Sequence, residues 1–302
     1  MKNLNICNFK PVELTDGTIF REKFSLLDRR SCECNFNNLF FWSEVYDEQF
    51  IEVEGRLLVC AFAINEAMFP VGAYFSPAEL AYILKTLCCS QKLCGWIYDV
   101  PEPYVEEHRA ELEQYFIVET SEDYYDYIYS TQSLVELHGE KLNKKRNLIH
   151  QFHSEYPDAR TEELTVQNAP EVLQFALHIN DLLSAGTDTL EDENGALHRT
   201  MNHVGELSAE GLILREGGGK IIAFAVFSRT NSDTYDVHFE KADRDYKGSS
   251  QVINQLTAEL LYKRGVKYIN REQDLGLPGL RRAKHSYEPE FLLKRYRLGP
   301  KI

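Results

Sequence analysis

The segment Asn270-Arg271-Glu272-Gln273-Asp274-Leu275-Gly276 sets five polar side chains directly after Val266-Lys267-Tyr268-Ile269, a run that reads as a strand. The end of a central strand is where open α/β sheets hold their ligands, and five polar residues there cannot all enter a core. Glu272 or Asp274, with a pKa raised by burial, could take a proton from an amine or hydroxyl, and Arg271 could hold a carboxylate or phosphate. A salt-bridged cap on a short helix over Gly279 to Lys284 accounts for the same residues equally well. Just beyond, Arg281, Arg282, Lys284, His285 and Tyr287 crowd together. Lys284 could stabilise a developing oxyanion and Tyr287 could pass a proton to a leaving group, or the cluster could be plain basic surface. His238 beside Asp236 is a further acid or base, although a satisfied histidine inside a sheet is more common.

A second constellation runs from Glu240 to Gln251. A polar strand end passes through a short loop into a helix, whose first-turn N–H groups can take a phosphate oxygen. Gly248 permits close approach, Ser249 and Ser250 add hydroxyl donors, and Arg244 and Lys247 add charge. An ordinary capped helix reads the same way, and the segment is not a P-loop.

Charge is unevenly spread. The chain of 302 residues carries a net −14, yet residues 241 to 302 hold 14 Lys and Arg against 7 Asp and Glu. An acidic protein that gathers its positive charge near one end has reason to bind a phosphorylated ligand there, or to dock its own acidic half. The 43% hydrophobic fraction suits a folded core rather than disorder. The seven cysteines, Cys7, Cys32, Cys34, Cys60, Cys88, Cys89 and Cys94, lie in the first third without paired C-x-x-C spacing or an apolar leader. They read as free thiols of a reducing, cytoplasmic setting, and no metal is assigned.

The elements that must position these groups follow from periodicity. The length favours two domains, with the boundary placed at 133/134, where Ser-Thr-Gln-Ser breaks the pattern. The first half offers helices over Thr18 to Leu27, Ser76 to Leu87 and Glu102 to Tyr115. Its strands are a hairpin turning at Glu54-Gly55, a strand over Trp96 to Tyr98, and two paired strands over Phe116 to Val118 and Tyr124 to Tyr129. The second offers helices over Glu140 to Tyr156, Ala169 to Leu183, Leu190 to Leu207 and Ser249 to Lys263. Its strands are a hairpin over Leu212 to Phe227, an alternating strand over Thr234 to Glu240 with Thr234, Asp236, His238 and Glu240 on one face, and Phe291 to Tyr296 closing the sheet. The class is α/β with mixed sheets, and the two halves repeat one succession of elements.

Four segments together look familiar: Asp126-Tyr127-Ile128-Tyr129; Leu134-x-x-Leu137-x-Gly139; Lys144-Lys145-Arg146-Asn147-x-Ile149-x-x-Phe152; and Asn270 through Gly276 continued by Gly279-Leu280-Arg281-x-x-Lys284-x-Ser286-Tyr287-x-Pro289. They resemble the family of phosphatidylglycerol lysyltransferase C-terminal domain-like proteins, over nearly the whole chain. The resemblance implies two tandem acetyltransferase-like (GNAT-type) domains. It also implies acyl or aminoacyl transfer from an activated, phosphorylated carrier to an amine or hydroxyl of a small-molecule, peptide or lipid-headgroup acceptor. Residues 243 to 251 match the turn that cradles pyrophosphate in such folds, but only Gly248 of the glycine pattern is present. That departure weighs against coenzyme A and favours the 3′ end of an aminoacyl-tRNA. Lys144, Lys145 and Arg146 match the family's basic helix and suit backbone phosphates, while Arg271, Glu272, Asp274, Lys284 and Tyr287 match its terminal motif and would line the transfer site.

The lipid-modifying relatives carry a multi-helix membrane domain ahead of this part. No apolar run here is long enough to span a membrane as a helix. Two other readings stand beside transfer from tRNA. One is an acyl-CoA-dependent N-acyltransferase. The other is a non-catalytic binding or regulatory protein, favoured if Glu272 and Asp274 both turn into salt bridges with Arg281 or Arg282.

Overall fold

The computed structural model describes residues 8–89, 95–183 and 188–301. The chain divides into two compact units, Met1–Tyr125 with Leu293–Ile302, and Asp126–Leu292. Cys7 and Cys94 lie outside the described residues, and Cys32, Cys34, Cys60 and Cys88 are free thiols. No described helix is long and apolar enough to cross a membrane.

The first unit contains β1 (Lys10–Pro11), α1 (Gly17–Ser25), α2 (Phe36–Trp42), β2 (Glu48–Val53), β3 (Arg56–Ala61), β4 (Glu66–Met68), α3 (Pro77–Cys89), β5 (Ile97–Pro101), α4 (Glu102–Tyr115) and β6 (Phe116–Glu119). Glu54 and Gly55, both at positive φ (50° and 78°), make the tight β2–β3 turn that their sequence implies. Ser76 and Glu79 exchange hydrogen bonds as a capping box, the Ser76 N–H donating to Glu79 Oε2 at 2.7 Å, which fixes the start of α3.

The second unit contains β7 (Asp126–Ser130), α5 (Thr131–Glu136), α6 (Asn143–Glu155), β8 (Arg160–Glu163), α7 (Ala169–Leu183), α8 (Asp188–Asn202), β9 (Glu210–Arg215), β10 (Ile221–Arg229), β11 (Thr234–Ala242), α9 (Ser249–Lys263), β12 (Tyr268–Asn270), α10 (Pro278–His285) and β13 (Phe291–Leu293). The last strand, β14 (Arg295–Pro300), belongs to the first unit.

Each unit has a seven-stranded sheet, ordered β1-β2-β3-β4-β5-β14-β6 in the first and β8-β9-β10-β11-β12-β7-β13 in the second. The positions correspond one to one, and in each sheet one parallel pair, β4/β5 or β11/β12, follows an antiparallel meander. The duplication expected from the order of elements is thus present in topology.

Two expectations are corrected here. Phe116–Val118 and Tyr124–Tyr129 do not pair: β6 pairs with β14, and β7 enters the other sheet beside β12. Phe291–Tyr296 does not close one sheet, because the chain breaks at Lys294 and sends β13 and β14 to different sheets. Alternation shows which face a side chain takes and says nothing of which sheet receives the strand. The structural division at Asp126 also precedes the 133/134 boundary. Ser130, which looked like linker, caps α5 by accepting the Ser133 N–H at 3.4 Å.

In the second unit α6 and α9 pack with Tyr127, Tyr129, Ala223, Ala225, Phe227, Tyr235 and Val237 in one apolar cluster. Within β11 the register shifts: Val237 faces Phe227 and Phe239 faces Val226, leaving His238 as the extra residue of a bulge. The bulge inverts the alternation that follows it. Asp236 and His238 therefore do not share a face with Glu240, as unbroken alternation had implied. Glu240 turns to α9, accepting from Asn254 Nδ2 at 3.3 Å, while His238 meets Ser228 on the other side.

Candidate functional site

β11 and β12 run side by side only where Thr234, Tyr235 and Asp236 face Tyr268, Ile269 and Asn270. After Asn270 the chain leaves the strand under tight local control. Asn270 Oδ1 accepts the Glu272 N–H at 2.7 Å, and its Nδ2 donates to Asp126 at 2.8 Å. Gln273 Nε2 donates to the other Asp126 oxygen at 3.0 Å. Lys284 Nζ donates to the carbonyl of Arg271 at 2.6 Å and to that of Gln273. So held, Glu272 adopts φ 55°, a left-handed conformation that costs a non-glycine residue on the order of 1 kcal/mol or more.

That conformation aims the Glu272 carboxylate at His238. Its Oε1 is buried, accepts no hydrogen bond among the described residues, and stands 3.6 Å from His238 Nδ1. Asp236 Oδ2 stands 3.6 Å from the same nitrogen. The His238 and Asp236 side chains are fully buried, whereas Glu272 remains 21% exposed, so solvent reaches the trio through Glu272. The far ring nitrogen, Nε2, lies 2.8 Å from Ser228 Oγ. Asp236, His238 and Glu272 each present one ligand-type atom within 4.8 Å of the others, and are the trio among the described residues that could hold a metal ion.

Residues 24–299 match the family of the phosphatidylglycerol lysyltransferase C-terminal region. The chain belongs to that family. A lysyltransferase-C-terminal-family fold also fits the solved structures that are similar. A conserved protein of unknown function from Bacteroides thetaiotaomicron superposes with a TM-score of 0.89 at 31% identity, covering 97% of this chain and 99% of that one. L-PGS from Bacillus licheniformis gives 0.65 at 13% identity, covering 97% and 93%. Among curated proteins, an uncharacterised protein of Mycoplasmoides gallisepticum is 26% identical over 173 residues, and the match spans 57% of this chain and about half, 54%, of that protein. A tandem GNAT protein also shares the fold, so both seven-stranded units are GNAT-type, as the resemblance implied.

The other residues of this family member's terminal motif are committed elsewhere. Asp274, named as a base, is fully buried. Its Oδ2 accepts from Tyr127 at 2.6 Å and from Arg281 Nε at 2.8 Å, and its Oδ1 accepts from Arg281 Nη2 and from the Gly276 N–H, each at 2.8 Å. Burial pushes its pKa up, but these donors outweigh burial and bring it down to about 2, so Asp274 is not poised to take a proton. Lys284, named as an oxyanion donor, instead ties down the loop carbonyls. Tyr287, named as a proton shuttle, is 8% exposed and packs in the core, and burial raises its pKa. Arg271 bonds Glu240 at 2.8 Å and lies 5.4 Å from the centre of the Tyr287 ring, so it serves no carboxylate of a ligand in this state.

The phosphate cradle is also corrected. Gly248 (φ 95°) is buried against α6: a Cβ there would sit 2.6 Å from the Leu148 carbonyl oxygen. Ser249 is buried, its hydroxyl donating to the Asp243 carbonyl at 3.1 Å. Ser250 is half-buried, and Arg244 and Lys247 are exposed. On α6, Lys144 is exposed, while Arg146 donates to the Leu137 and Gly139 carbonyls and so fastens the end of α5. Two surface depressions of about 320 and 310 Å3 lie elsewhere on this unit, lined in part by His138 and Lys141 and by Tyr262 and Lys267, and neither includes Glu272.

Sequence reasoning missed Asp126, Tyr127 and Tyr129 as supports. Their motif on β7 is the partner of the terminal motif: Asp126 holds Asn270 and Gln273, Tyr127 holds Asp274, and Tyr129 donates to the Lys284 carbonyl at 2.8 Å. Lys145 gained a different role from its neighbours. Its ammonium lies 3.6 Å from the centre of the Tyr287 ring and donates to Ser286 Oγ at 2.8 Å. Burial, then the nearby Arg271 and Lys144 charges, push its pKa down to about 8. A lysine depressed in the folded state is neutral over the window from about 8 to its ordinary 10.5, where an unfolded lysine is still charged. At pH 8.5 an amine-reactive acylating reagent is therefore expected to label Lys145 ahead of exposed Lys144. Peptide mass spectrometry showing equal labelling would contradict the depressed pKa.

Proposed function

We propose that this protein transfers an acyl or aminoacyl group from an activated, phosphate-bearing carrier to an amine or hydroxyl acceptor, with Glu272 accepting the acceptor's proton. The observation that carries the reading is the strained Glu272 itself, since the loop bonds of Asn270, Gln273, Asp126 and Lys284 accompany a left-handed Glu272 whose carboxylate stands at the end of the β11/β12 pair and is partly open to solvent. The acceptor attacks the carrier's ester or thioester carbonyl, its proton passes to Glu272, and the C–O or C–S bond breaks as the carrier leaves, an alkoxide leaving group taking that proton back from Glu272. His238, 3.6 Å from the carboxylate, and Asp236 are closed off behind Glu272 and do not touch substrate.

The family name, phosphatidylglycerol lysyltransferase, supports a lipid headgroup as the acceptor class. For the donor, the covered start of α9 weighs against a buried pyrophosphate of coenzyme A. Exposed Lys144, Arg244 and Lys247 flank the α6–α9 contact and suit the backbone phosphates at a tRNA acceptor end. Thermal shift decides between them. A charged acceptor-stem RNA is expected to raise the melting temperature, Lys144→Glu and Lys247→Glu to erase the rise, and coenzyme A thioesters to have no effect. A rise with a coenzyme A thioester that survives Lys247→Glu would replace this donor with the other.

A further inference from the structure

We propose that Asp236, His238 and Glu272 form a binding site for one divalent transition-metal ion, Zn2+ or Mn2+. The proposal rests on geometry and does not depend on the transfer reading, although both involve Glu272.

The ligand atoms come from three places that the bulge and the loop bring to one point. Asp236 and His238 alternate on the same face of β11 up to the bulge, and Glu272 lies two residues past Asn270, the partner of Asp236 across the parallel pair. Both carboxylates stand 3.6 Å from His238 Nδ1, beyond hydrogen-bond distance. With metal–ligand bonds of about 2.1 Å, two ligands of a tetrahedral ion lie roughly 3.4 Å apart, so the observed separations fit a shared ion better than a shared proton. Glu272 Oε1 is buried and unbonded, and it faces this point. His238 has its other nitrogen on Ser228 Oγ at 2.8 Å, the outer contact that metal-binding histidines typically make and that would leave Nδ1 with a lone pair.

The donor set selects the ion. One imidazole and two carboxylates suit Zn2+ or Mn2+ and are poor for Mg2+, which favours oxygen and keeps its water. Entry is through the partly exposed Glu272. Once bound, the ion holds the carboxylate to which the transfer reading assigns the acceptor's proton, so metal loading is expected to suppress transfer.

The test uses the whole chain, stripped with chelator, and the metal salts alone. Isothermal titration with ZnCl2 and MnCl2 is expected to show one ion per chain, with MgCl2 showing none. Glu272→Gln is expected to weaken the affinity roughly tenfold or more, and His238→Gln to abolish it. His203→Ala, which removes the exposed His203–Glu206 pair at 2.7 Å, is expected to leave the titration unchanged. Melting curves in chelator check that each variant folds, and if His238→Gln does not, Asp236→Asn and Glu272→Gln decide. No ion bound at about 1 mM, full affinity in both carboxylate variants, or loss in His203→Ala would each overturn the site. Since these readouts need no substrate, a failed metal test leaves the transfer reading standing, and the reverse holds as well.

Discussion

A chain that stops at Leu293 is expected to lose the fold of the first unit while the second keeps its own. β14 lies inside the first sheet, between β5 and β6, and its loss would strand hydrogen-bonding edges on both. It also carries Tyr296 and Leu298 into the first core. Arg295 adds a buried charge whose removal alone is severe: its guanidinium bonds Asp99 at 3.1 Å, Glu33 at 3.2 Å and Ser31 at 3.3 Å, and also donates to the Tyr124 carbonyl. Breaking one side of a buried ion network costs roughly 3 to 5 kcal/mol, so Arg295→Ala should lower stability by about 3 kcal/mol even with the strand intact. Both tryptophans, Trp42 and Trp96, lie in the first unit. The truncated chain should show their emission shifted to the red, with slow amide exchange persisting in α9. Unshifted emission would show that the strand is dispensable.

Asp274→Ala is the second large effect, and its contrast with Glu272→Gln separates holding from chemistry. Asp274 accepts from Arg281, Tyr127 and Gly276 with no solvent access, so removing it takes one charged acceptor from a buried phenol and from a partly exposed guanidinium. Roughly 3 kcal/mol of stability should go with it. Its folded pKa of about 2 lies below the ordinary 3.8, so the stabilisation is full above that value and fades as pH falls toward 2. Urea titrations should therefore show the gap between parent and variant shrinking as pH drops from 5 to 2. Glu272→Gln should melt within about 1 kcal/mol of the parent while transfer falls a hundredfold or more. Equal melting of the Asp274→Ala chain and its parent at pH 7 would refute the structural role.

The sequence made some of this legible and hid the rest for identifiable reasons. The capping box at Ser76 and Glu79, the Glu54-Gly55 turn and the five polar residues after β12 are local signals, and local chemistry reads them directly. Which of those five is available is a tertiary matter: Asp274 and Glu272 sit two apart, and only the positions of Tyr127 and Arg281 decide that one is locked and the other open to solvent. Gly248 misled for a related reason. A glycine before a helix with serines after it can admit a phosphate or admit another helix, and here the close approach is made by α6. The exchange of β7 and β14 left no trace in periodicity, because a strand's alternation is the same in either sheet.

That exchange has a bearing on synthesis. Residues 126 to 292 form the second unit without interruption, so every strand that lies wholly within it emerges before Arg295–Pro300 does. The first unit, although made first, must wait with an open slot in its sheet until Arg295–Pro300 emerges. The usual order, in which the amino-terminal part of a chain matures first, is reversed.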